Sequence, residues 1–80
     1  MGLSPNPTTG DITLSMTLPE RADIRISVVN LLGKEVQTQV LSLPAGQQQQ
    51  TLSLDALPTG IYIISLQAQG EIISRKVVKE

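Results

Sequence analysis

Three aspartates stand beside turn signals in this chain, Asp11, Asp23 and Asp55, and carboxylates are the groups that ligate calcium. None belongs to a dense acidic cluster of the kind an EF-hand loop supplies, so each reads as a solvated turn residue. The other chemically capable groups are one phenol, Tyr62, and three cations close to the end, Arg75, Lys76 and Lys79. With no His and no Cys, the chain lacks the commonest general base, the thiolate nucleophile and the usual zinc ligands. Without His or Cys the usual nucleophile and base pairs cannot be assembled, which points away from an enzyme; no cofactor and no metal site are expected.

Composition narrows the partners. Six basic residues face seven acidic ones for a formal charge of -1, and no block of like charge occurs. Nucleic-acid binding calls for a basic stripe and stacking aromatics, and this chain has a single aromatic. No apolar run approaches the roughly 18 residues of a membrane span, and Met1-Gly2-Leu3-Ser4-Pro5 has neither a basic nor an apolar leader region. Met1-Gly2 reads as an expression start and residues 3–80 as one small domain. A chain of this size buries only about 60% of its unfolded surface, which leaves little room for a deep cleft.

The elements that would position these groups follow from turn chemistry and alternation. Pro5-Asn6-Pro7-Thr8-Thr9-Gly10 reads as an entry turn. Ile12, Leu14, Met16 and Leu18 then alternate strictly with Thr13, Ser15 and Thr17, the period of a half-buried strand. Ile24, Ile26 and Val28 alternate with Arg25 and Ser27 in a second strand, and Gly33 marks a hairpin into a third containing Val36, Thr38 and Val40. Leu43-Pro44-Ala45-Gly46 reads as a type I turn. The strand after it opens with Gln47-Gln48-Gln49-Gln50, which is in phase with Leu52 and Leu54 and so is expected on an exposed edge rather than in an aggregation-prone tract. Past Asp55-Ala56-Leu57-Pro58-Thr59-Gly60, the row Tyr62, Ile64, Leu66 and Ala68 turns inward, Gln69-Gly70-Glu71 makes a tight turn, and residues 72–79 close the chain. Apolar residues fall on both parities of that last strand, leaving its buried face open. No helical period occurs, so the expectation is all-β: an immunoglobulin-like antiparallel β-sandwich of six to seven short strands.

Each motif admits a plain structural role beside a functional one. Leu57-Pro58-Thr59-Gly60 lacks the extra residue of the cell-wall sortase signal and the apolar anchor that follows it. Asn6-Pro7-Thr8 has Pro in the position that glycosylation excludes. Tyr62, just after a turn into a strand, is placed for a tyrosine corner, whereas a lone exposed ring would be a poor sugar platform. Gly60 is expected to serve a turn needing close backbone approach or positive φ. Arg75, Lys76 and Lys79 are either a solvated strand face or a terminus read by edge pairing and charge.

In order and spacing, four segments resemble the type A C-terminal sorting domain of proteins exported by the type IX secretion system of Bacteroidota. They are Ser4-Pro5-Asn6-Pro7-Thr8-Thr9-Gly10, Asn30-Leu31-Leu32-Gly33-Lys34-Glu35-Val36, Leu57-Pro58-Thr59-Gly60-Ile61-Tyr62 and Lys76-Val77-Val78-Lys79. The resemblance implies a folded address tag carried behind an N-terminal cargo domain. Its implied partners are the outer-membrane type IX translocon, shuttle proteins and a cell-surface sortase-like peptidase, and its implied route runs through the periplasm to the cell surface or the medium. It also implies that Gly60, Tyr62, Lys76, Val77, Val78 and Lys79 are the recognition elements. Asn30 stands where the family often has Asp, which keeps the turn but drops a charge. The alternative is an accessory adhesion or carbohydrate-binding sandwich of an extracellular multidomain protein.

Overall fold

The computed structural model describes residues 2–4 and 10–80. Of the expected entry turn at residues 5–10, residues 5–9 lie outside them. Among the described residues seven strands follow one another: β1 (Gly2–Ser4), β2 (Asp11–Leu18), β3 (Ala22–Asn30), β4 (Glu35–Leu43), β5 (Gly46–Ser53), β6 (Gly60–Ala68) and β7 (Glu71–Lys79). All pairings are antiparallel, in one sheet ordered β1-β2-β5 and another ordered β4-β3-β6-β7. The all-β sandwich is therefore as expected, with β4 joined to β3 in the manner of an immunoglobulin-like C′ strand. β1, which no alternation announces, is short and pairs with the middle of β2.

The core is built by period-two alternation. Ile12, Leu14, Met16 and Leu18 of β2 face Ala22, Ile24, Ile26 and Val28 of β3 and Tyr62, Ile64 and Leu66 of β6, and Leu52, Leu54 and Val77 complete it. Complete burial of an aliphatic side chain contributes about 1.5 to 3 kcal/mol, and Ile12, Leu14, Ile24, Leu54 and Ile64 are fully enclosed. A one-residue slip of β2 would put the whole row into water, so hydrophobicity fixes the register.

The β4 face departs from the expected one. Val28 pairs with Gln37 but Val29 pairs with Glu35, so Val36 is the extra residue of a β-bulge. Beyond it the parity is offset by one: Leu41 and Leu43 pack against the core, while Thr38 and Val40 point outward and Val40 is exposed. The last strand resolves as well. Val77 and Lys79 are buried, Ile72 and Lys76 are exposed on the other face.

Turn geometry matches the residues. Gly33 takes φ 83° and donates its N–H to the Asn30 carbonyl, a left-handed position that a Cβ makes costly. Gln69 and Gly70 take φ 51° and 80°, the two consecutive left-handed residues of a two-residue hairpin between Ala68 and Glu71.

Candidate recognition site

Strand register brings the resembling segments together. β3 ends at Asn30, β6 starts at Gly60 and β7 ends at Lys79, and the pairs Asn30–Tyr62 and Tyr62–Val77 lay three of these residues in one row across the sheet. In the other sheet β2 starts at Asp11 opposite Ser53, and the Gly10 carbonyl accepts from the Leu54 N–H. The 30–35 hairpin, the 54–59 loop, the start of β2 and the chain end therefore share one end of the sandwich. Pro19-Glu20, Pro44-Ala45 and Gln69-Gly70 occupy the opposite end. The three aspartates do not converge: Asp11 and Asp55 are at the first end, and Asp23, opposite Ser42, is near the second.

Two side chains hold consecutive carbonyls of the 54–59 loop. Tyr62 Oη donates to the Pro58 carbonyl at 2.6 Å, the expected tyrosine corner. Lys79 Nζ donates to the Leu57 carbonyl at 2.6 Å. The Leu57 N–H meanwhile donates to the Leu54 carbonyl, closing a turn. Strands β6 and β7 thus fix this loop from both directions, and the second pair of segments is one structural unit. The 30–34 hairpin is held by Asn30, whose Oδ1 accepts from the N–H groups of Leu32 and Lys34, both at 3.0 Å. An aspartate would accept the same two bonds, so Asn30 keeps the geometry without the charge.

Burial sorts the expected recognition residues. Tyr62, Val77 and Lys79 point into the sandwich, Lys79 with 8% of its surface exposed, so the reading of Lys79 as part of a solvated strand face is corrected: inward parity and the Leu57 carbonyl hold its side chain against the 54–59 loop. Gly60, Lys76 and Val78 are reachable from outside. Gly60 opens β6 opposite Lys79, but its φ is not positive and a Cβ there would meet nothing within 4 Å. The expectation that its backbone forbids a side chain is overturned.

The alternation also leaves apolar residues on the outer face of the four-stranded sheet at this end. Val29 pairs with Ile63, Ile63 with Lys76, and Ile61 with Val78; the four apolar members are half-buried. At the tip of the adjoining hairpin, Leu31 and Leu32 are 70% and 93% exposed. Sequence reasoning took Leu31 and Leu32 only as turn residues and did not single out Ile61 or Ile63. The signal was present in the runs Val28-Val29, Ile61-Tyr62-Ile63-Ile64 and Val77-Val78, which are apolar on both parities where a one-sided strand needs only one.

The chain is thus a small β-sandwich with its last strand tied to the 54–59 loop, an apolar strip on one outer face and its one phenol engaged inside. The family model for the secretion system C-terminal sorting domain matches residues 3–80, and the chain belongs to that family: it is a type IX secretion C-terminal sorting domain. The family is one of sorting signals rather than of catalysts. No curated protein matches the chain. Among the described residues no helix is long and apolar enough to cross a membrane.

Proposed function

We propose that this domain directs an N-terminal cargo from the periplasm through the outer-membrane type IX translocon, and that the end of the sandwich carrying Gly60, Lys76 and Val78 is the surface the export machinery reads. The observation that carries this reading is the gathering of the 30–36, 57–62 and 76–79 segments at one end, beside exposed Leu31 and Leu32. An apolar strip with a cation at its margin fits a partner groove that is apolar and bears acid at its rim. Tyr62, Val77 and Lys79 act behind that surface by holding the loop and the last strand. A carbohydrate-binding role finds little support, because the only aromatic ring is 5% exposed and its hydroxyl is engaged. Shuttle proteins and the surface peptidase are the partners expected to follow, with the cargo reaching the cell surface or the medium.

The test is a passenger protein fused ahead of residues 3–80 in a type IX-competent host. The unaltered fusion should leave the cell, and the variant Leu31→Ser with Leu32→Ser should keep its melting profile yet leave the passenger in the periplasm. A passenger retained with the unaltered domain would overturn the sorting role. Normal export of the folded double variant would move the reading surface away from this end.

A further inference from the structure

We infer that β5 is a self-association edge, across which a second copy of this chain pairs antiparallel through the stretch 46–52. A two-sheet sandwich has four outer strands, here β1, β5, β4 and β7, and each offers every second backbone N–H and C=O to whatever lies beyond it. Three of them carry devices against pairing. β1 has 3 residues. β7 bears the exposed charges Glu71, Arg75 and Lys76. β4 is kinked by the bulge at Val36, and two arginines of neighbouring segments lie over it: Arg25 bridges to Glu35 at 3.3 Å and Arg21 donates to Ser42 Oγ at 3.2 Å.

β5 has none of these. Its register with β2 runs without a shift from Asp11–Ser53 to Leu18–Gly46, and it contains no proline. No charged residue occurs anywhere from Val36 to Leu54. A long, flat, neutral edge is the arrangement that other strands join, and natural sandwiches ordinarily interrupt it with lysine, proline or a bulge.

Its chemistry selects the partner. A strand paired antiparallel with its own copy forms an isologous contact, in which residue i of one copy meets residue j of the other and j meets i, so that with Gln49 on the two-fold axis Gln48 meets Gln50. Glutamine suits that arrangement because its amide both donates and accepts, so Gln opposite Gln leaves neither group unmatched. The Ser53 carbonyl is already taken by Gln37 Nε2 at 2.8 Å, which ends the available stretch before Ser53. The midpoint of the remaining residues is Gln49, whose side chain is exposed, and two-fold pairing sets Gln49 against Gln49. The product is one continuous sheet ordered β1-β2-β5-β5-β2-β1. Its outer strands are the two short β1 edges, so this mode of assembly closes at two copies.

Sedimentation velocity on the 80-residue chain across the micromolar to millimolar range tests this. The expected result is a concentration-dependent rise from 8.6 kDa to twice that mass. Gln49→Lys should hold the chain at the single mass with an unchanged melting midpoint, because like charges directly opposite repel. Mixing equal amounts of Gln49→Lys and Gln49→Glu should restore the double mass. A single mass for the unaltered chain throughout, a Gln49→Lys variant that still doubles, or mass that grows without limit would each overturn the inference, as would a Lys and Glu mixture that stays single.

Discussion

The ammonium of Lys79 reaches across from the last strand to the carbonyl of Leu57, 22 positions earlier in the chain, and donates to it at 2.6 Å. The next carbonyl along, that of Pro58, is held by Tyr62. Completion of the chain end therefore does more than add a strand to the sheet: it supplies the donor that fixes the 54–59 loop. A terminal lysine that looks like a surface charge in the sequence is buried, two residues past Val77 on the same strand face and opposite Gly60 in the ladder.

The two lysines of the terminal segment should separate in a stability measurement. Lys76 is exposed on the outer face, so Lys76→Glu is expected to shift stability by no more than about 0.5 kcal/mol. Lys79→Met keeps the apolar stem but removes the donor, which should cost about 1.5 to 3 kcal/mol. Lys79→Glu should cost more still by turning a carboxylate toward a carbonyl. Urea unfolding midpoints of the three variants check the order; equal midpoints for Lys76→Glu and Lys79→Glu would contradict the buried placement.

Tyr62→Phe isolates the tyrosine corner. The ring stays buried while the Pro58 carbonyl loses its donor, for an expected loss of about 1 to 3 kcal/mol, whereas Tyr62→Ala should cost about 3 to 5 kcal/mol by emptying the site as well. Thermal melts followed by far-UV circular dichroism would show both steps, and amide exchange in the 54–59 loop should rise in Tyr62→Phe.

Gly60 and Gly33 should respond differently to a methyl group. Gly60→Ala meets open space at an ordinary φ and should change stability by less than about 0.5 kcal/mol. Gly33→Ala forces an L-residue into the left-handed region, at a cost of about 1 to 2 kcal/mol. If Gly60→Ala or Gly60→Val keeps its melting temperature and still stops export, the glycine serves contact with the export machinery and not the fold.

Leu14 is fully enclosed at the centre of β2, so Leu14→Ala should lower stability by about 2 to 5 kcal/mol through lost burial and the cavity left behind. In a domain this small that is a large share of the total, and the variant is expected to be partly unfolded at 37 °C. An unchanged midpoint in chemical denaturation would contradict the role of β2 as a core strand.

The sequence by itself determined the all-β class, the inward rows of β2, β3 and β6, the hairpin at Gly33 and the corner at Tyr62. Each of these rests on local rules: a period of two, a turn residue with a fixed conformational preference, an aromatic just past a bend. Tertiary structure decided what depends on neighbours. The parity of β4 turned on one extra residue, Val36, which only pairing with β3 reveals. The buried face of β7 was ambiguous because Val77 and Val78 both sit on apolar ground, one in the core and one in the outer strip beside Ile61. Lys79 went inward because that parity carried it there and because a carbonyl from a distant loop was waiting, a partner that no local pattern encodes. Alternation tells which residues share a face; it does not tell which face the rest of the molecule will cover.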